Sequence, residues 1–157
     1  MSSPSFARMH KPRGIAVVGA STEAARPGAQ TIRALMEYGY AGGIYPVNPR
    51  YTEIGGLRCL PSLADVAGPC DVAVIALPAA QVSDVIVQCG QKGIGFAVVL
   101  GGGFREVGPE GVELERRLLQ TARAQGVRLI GPNCLGYVNI PNRVFAGFGS
   151  ITRPPLL

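Results

Sequence analysis

Five short apolar runs, separated by stretches of helical spacing, constrain this chain more than any other feature. They occupy residues 15–18, 43–49, 71–77, 96–100 and 127–130. Runs of this kind, apolar without alternation, suit strands covered on both faces. Between them apolar residues recur at helical intervals: Ile32, Leu35 and Met36; Val82, Val85, Ile86 and Cys89; Leu114, Leu118 and Ala122. Strands alternating with helices imply right-handed βαβ units and an α/β fold, a doubly wound parallel sheet with helices on both faces. The expected strand order is 2-1-3-4-5. Pro46 removes a ladder donor from the second strand and places it near a sheet edge. Residues 57–60 are expected to add a short strand beside it, and residues 144–148 a final short one. Ser62, with Asp65 three residues on, predicts a capping box for a single helical turn. Pro109 suits the first position of the last long helix, and Gly126 ends it.

Composition narrows the class. Of 157 residues, 47% are hydrophobic and 16% charged, so the chain must bury a sizeable core as one domain. The 22 Gly and 13 Pro follow no period, which predicts many tight turns rather than a repetitive fibre. No apolar run approaches the ~18 residues of a membrane span. Residues 1–13 have no apolar core and read as a loose lead-in rather than an export signal, so a cytoplasmic location is expected. The formal charge of +5 is scattered and aromatics are few, which fits a small polyanion better than a nucleic acid. Cys59, Cys70, Cys89 and Cys134 show no CxxC spacing, and His10 is the sole histidine. Neither zinc nor a disulfide framework is expected.

The first strand runs into Gly19-Ala20-Ser21, and Gly28 opens the next helix. Small residues in such a turn admit a ligand close to the backbone, and the helix start favours an anion. Arg26 adds a cation. In the expected topology a crevice lies beyond the carboxyl ends of strands 1 and 3. The loops gathered there carry Gly19, Ala20, Ser21, Arg26 and Gly28; Val47, Asn48, Pro49 and Arg50; Pro78 and Ala79; Gly103; Asn133 and Cys134. Aligned on Gly19, the dinucleotide pattern G-x-G-x-x-G meets Ser21 and Ala24 where glycines belong. The second strand ends in Asn48-Pro49-Arg50, not in the acid that an NAD site uses for its ribose hydroxyls. A base there suits a phosphorylated ribose, either NADP or coenzyme A with its 3′-phosphate. Cys134 has no histidine in the body of the fold to activate it, so a packing or ligand-lining role is expected rather than catalysis.

Six segments, in order, carry a resemblance: Ile15-Ala-Val-Val-Gly-Ala-Ser21, Tyr45-Pro-Val-Asn-Pro-Arg-Tyr51, Glu53-Ile-Gly-Gly56, Asp71-Val-Ala-Val-Ile-Ala-Leu-Pro78, Gly101-Gly-Gly-Phe104 and Arg128-Leu-Ile-Gly-Pro-Asn-Cys-Leu-Gly136. The chain resembles the CoA-binding domain of the NDP-forming acyl-CoA synthetases, relatives of the succinyl-CoA synthetase alpha subunit. The resemblance implies a Rossmann-like domain that holds CoA. It implies phosphates at the 19–28 loop and the adenosine end at Asn48 to Arg50. Pro78, Ala79, Gly103, Asn133 and Cys134 would line the path towards the thiol. It also implies a flavodoxin-like domain bearing a phosphorylated histidine and an ATP-grasp part, neither of which this sequence contains. The expected organisation is a lead-in over 1–13, the CoA-binding domain over 14–149 and the start of a linker over 150–157, inactive as an enzyme by itself. An NADP-binding oxidoreductase domain and a stand-alone or regulatory CoA-binding protein remain as alternatives.

Overall fold

A computed structural model describes residues 3–153. Its centre is a five-stranded parallel sheet of β1 (Gly14–Val18), β2 (Gly43–Val47), β5 (Val72–Ile75), β6 (Phe96–Val99) and β7 (Arg128–Ile130), in the order β2-β1-β5-β6-β7. Counted along the sheet strands alone, this is the expected 2-1-3-4-5. β2 lies at the edge, as Pro46 requires. Three helices join the strands: α2 (Pro27–Glu37), α3 (Ala79–Lys92) and α4 (Pro109–Gln125). The capping box is present: Ser62 accepts from the Ala64 N–H at 3.1 Å, and Asp65 accepts from the Ser62 N–H at 3.1 Å.

The pleat divides the core in two. Ala16, Val18, Ala73, Ile75, Ala97 and Val99 face α3 and α4, where Val82, Ile86, Cys89, Leu118 and Ala122 meet them. Ile15, Val17, Val72, Val74, Phe96 and Val98 face the other way, against Ile32 and Leu35 of α2 and against Val144 and Ala146. The second face thus carries one helix and a β-hairpin, β8 (Gly136–Asn139) paired antiparallel with β9 (Val144–Gly147). Only β9 was legible as a strand. Met36, counted among the apolar positions of α2, is 43% exposed and points away from the core.

Three expectations need correction. Residues 57–60 do not form one strand. β4 (Leu57–Arg58) pairs antiparallel with β3 (Glu53–Ile54), while Leu60 alone bridges to Val47 of β2. The lead-in is not loose. It forms a single helical turn, α1 (Ala7–His10), and the Arg13 guanidinium grips Asp71 through Nη2–Oδ1 at 2.7 Å and Nε–Oδ2 at 3.0 Å. The Arg13 backbone N–H adds a third bond to the same carboxylate at 2.8 Å. Burial pushes the Asp71 carboxyl up, but these bonds outweigh it and hold it below the usual carboxylate range. At the other end, Gly149–Thr152 is a 3-10 turn packed on α2 rather than a linker, with the Tyr38 hydroxyl donating to the Thr152 carbonyl at 3.1 Å. Pro154-Pro155, read as a linker, lies outside the described residues. No helix among the described residues is long and apolar enough to cross a membrane.

Candidate functional site

At the carboxyl ends of β1, β2 and β5, where the winding changes direction, lies a cleft of about 580 Å³. Its floor is the turn after β1. Gly19 has φ +85°, and a Cβ there would lie 2.3 Å from the Ala76 carbonyl oxygen. Only glycine brings this turn so near β5. Gly28 has the complementary role on α2: a Cβ there would lie 2.4 Å from the Gly19 carbonyl oxygen. Pro27 at the first helical position and the absence of a side-chain cap leave the α2 N–H groups open. The helix dipole adds positive potential at that end.

Ten of the fourteen residues singled out from the sequence line this one cleft: Gly19, Ala20, Ser21, Arg26, Gly28, Val47, Asn48, Pro49, Arg50 and Pro78. Ala79, Gly103, Asn133 and Cys134 do not. They form an adjoining rim at the ends of β5, β6 and β7. A Cβ at Gly103 (φ +98°) would touch the Ala79 Cβ at 3.1 Å, and the Asn133 N–H donates to the Gly101 carbonyl at 3.0 Å. Asn133 takes φ +52°, the left-handed conformation its turn suggested. The Cys134 thiol contacts the Val99 carbonyl at 3.5 Å, and burial raises its pKa. Both facts fit a lining group and oppose a thiolate nucleophile. His10 sits beside Asn139 of β8, 3.3 Å away, and is not among the residues of the cleft.

Several polar groups of the cleft have defined partners. Asn48 fastens the two loops together: its Nδ2 donates to the Ala20 carbonyl at 2.8 Å and its Oδ1 accepts from the Arg50 N–H at 2.9 Å. Its side chain is therefore a brace. The Ser21 hydroxyl accepts from the Glu23 N–H at 3.0 Å. Arg26 is paired with Glu23, Nε–Oε2 3.0 Å, with both side chains more than 60% exposed. Such a pair is worth little and is open to exchange with a ligand anion. Arg50 forms no ion pair among the described residues. It is a cleft cation with no carboxylate partner among those residues.

Several lining residues were not foreseen. Tyr51 lines the cleft too, and its pKa is lowered by Ser21, the larger influence, and by Thr22 beside the phenol. Gln81, Val85 and Gln88 present one stripe of α3 to the cleft, and Pro61 and Ser62 also line it. The stripe was readable as positions i, i+4 and i+7 beside the buried Val82–Ile86–Cys89 face. The loop position of Pro61 was not, because it depends on the β3–β4 hairpin folding back on β2.

Known proteins agree with this geometry. The family described as CoA binding domain matches residues 13–140. An ADP-forming acetate–CoA ligase II of Archaeoglobus fulgidus is 41% identical over 92% of this chain, which spans 22% of that relative. An ADP-forming acetate–CoA ligase I subunit alpha of Pyrococcus furiosus is 39% identical over 92% of this chain and 32% of its own length. Among solved structures, the apo dinucleotide-forming acetyl-coenzyme A synthetase 1 of Ca. Korarchaeum cryptofilum superposes with a TM-score of 0.88 at 44% identity, over 94% of this chain and 32% of that one. The chain thus spans between a fifth and a third of the length of these relatives.

Proposed function

The chain belongs to the CoA-binding domain family, corresponding to that portion of the ADP-forming acyl-CoA ligases, and on this premise we propose that its cleft holds coenzyme A by the nucleotide end. The diphosphate lies over Gly19, Ala20 and Ser21, at the uncapped start of α2 beside Gly28. The N–H groups of the first turn of α2 and the helix dipole meet its charge there, those of Gly19 and Ala20 being already donated to the Val47 carbonyl at 3.1 and 3.3 Å. Arg26 leaves Glu23 to join it. Arg50 takes the 3′-phosphate, since a guanidinium donates two parallel bonds to a phosphate. The pantetheine arm then leaves over Pro78 and Ala79 towards Gly103, Asn133 and Cys134. The thiol emerges at that rim.

One observation carries the reading. β2 is followed by Asn48-Pro49-Arg50, with a cation unpaired among the described residues where a dinucleotide site would present a carboxylate to the ribose. An acid there would repel a phosphorylated ribose.

In a longer protein, the same domain would present CoA to an acyl group activated elsewhere, in a flavodoxin-like domain and an ATP-grasp part. ADP-forming acid–thiol ligation is the activity proposed for such an assembly, and not for these residues alone. Incubation of this chain with ATP, acetate and CoA yields no acyl-CoA above background on this reading.

Differential calorimetric melting with CoA, NADP and NAD tests the ligand. At 100 times its dissociation constant, CoA stabilises the fold by about 2.7 kcal/mol. That is on the order of 5–10 °C for a domain of this size. A larger shift with NAD or NADP overturns the assignment.

A further inference from the structure

The cleft has two chemically different lobes. One is the anion lobe around Gly19 and the start of α2. The other runs along α3, where Gln81, Val85 and Gln88 share a face. Gln88 lies seven residues beyond Gln81, about 10 Å farther along the helix. Val47, buried in β2, and Pro61 supply further apolar lining. Lys92 Nζ donates to the Val66 carbonyl at 2.7 Å and to the Ala64 carbonyl at 3.3 Å, tying the last turn of α3 to the Leu63–Asp65 turn.

This second lobe has two apolar walls, no carboxylate and two neutral amides. The amides are free to act. The Gln30 amide, by contrast, is engaged by the Ala25 carbonyl and the Gly149 N–H; those of Gln81 and Gln88 have no such partner among the described residues. The Ser62 hydroxyl is already committed to the Ala64 N–H. A slot of this kind suits a flat, neutral, hydrogen-bonding heterocycle. A glutamine amide donates and accepts side by side, matching the amino donor and adjacent ring-nitrogen acceptor of adenine.

Resting on the CoA reading above, we propose that the α3 lobe is a purine slot and that Gln88 is its specificity-determining residue. The base lies against Val47, Pro61 and Val85. The half-buried Gln88 accepts from the exocyclic amino group and donates to the neighbouring ring nitrogen. Exposed Gln81, in the first turn of α3, sits beside the ribose and diphosphate.

The test is calorimetric titration of this chain with CoA and with a CoA analogue whose base is unsubstituted purine. The unaltered chain binds CoA roughly three- to tenfold more tightly than the analogue, the scale of one neutral hydrogen bond. Gln88→Met, which keeps the length and removes the amide, binds the two alike. Gln88→Glu, which accepts but cannot donate, loses affinity for both ligands yet still prefers CoA. A variant that binds either ligand shows by doing so that its cleft is folded. Equal preference for CoA in the unaltered chain and in Gln88→Met overturns the assignment, and so does an unaltered chain that does not discriminate. Either result leaves the CoA reading standing. An unaltered chain that binds neither ligand overturns both.

Discussion

A Cβ on Gly28 would lie 2.4 Å from the carbonyl oxygen of Gly19, so helix α2 and the turn after β1 meet backbone to backbone. The neighbour is main chain and cannot swing aside. Gly28→Ala therefore forces α2 away from the sheet. The expected cost is about 1–3 kcal/mol, as for an overpacked contact. Chemical denaturation measures the loss. CoA binding falls by more than the stability change explains, because the start of α2 is displaced from the anion.

Arg50→Ala separates the phosphates of the ligand. Loss of one charge-assisted contact at a solvent-screened rim is worth about 1–3 kcal/mol. CoA should weaken roughly ten- to a hundredfold, while 3′-dephospho-CoA is scarcely affected. The two ligands and two proteins form a thermodynamic cycle. Equal losses for both ligands would move Arg50 to the diphosphate, and no loss for either would make it a solvated surface charge.

Asn48 is a brace, and its substitutions should rank accordingly. Asn48→Ala removes the bonds to the Ala20 carbonyl and the Arg50 N–H. The expected destabilisation is about 1–3 kcal/mol. Asn48→Asp keeps the acceptor for Arg50 but faces the Ala20 carbonyl with a second negative oxygen. It should bind CoA more weakly than Asn48→Ala, since it also adds an acid to the cleft. Comparing the two variants by melting and by titration checks the order.

Asp71 gives the fold an acid-sensitive anchor. Its folded pKa lies below the unfolded value, so the ionised form favours folding. That contribution is fully present above the ordinary carboxylate pKa of about 3.9 and is lost as pH falls through the folded value. Asp71→Asn should lower the melting temperature at neutral pH and flatten the decline below about pH 4. An unchanged acid limb would assign that decline to other carboxylates.

The sheet was readable because its strands are continuous apolar runs and its connections follow the right-handed rule. Pro46 even marked the edge. The β8–β9 hairpin was half readable. Residues 144–147 form an apolar run, but Gly136-Tyr137-Val138-Asn139 shows neither a run nor alternation and becomes a strand only by pairing with it. The lead-in was misread for a related reason: the Arg13–Asp71 contact joins residues 58 apart, and nothing local signals it. Within the site, the glycine pattern looked broken at Ser21 and Ala24. The helix-contact glycine is Gly28, set farther along by a longer loop. A six-residue motif cannot register a role that has moved along the chain, although the geometry that needs a glycine is unchanged.

Thr31 is wholly buried in α2, and its hydroxyl lies 2.7 Å from the Gly147 carbonyl of the hairpin, while Gln30 Oε1 accepts from the Gly149 N–H at 2.9 Å. The helix is pinned along its outer flank as well as abutted at its start. It cannot slide to meet an anion; the ligand must come to a receptor that is already set. Such a receptor loses little freedom on binding. Deuterium uptake should show this as a contrast. The α2 amides are slow to exchange with or without CoA, and the added protection concentrates in the 19–26 and 48–51 loops, where the chain still has room to settle.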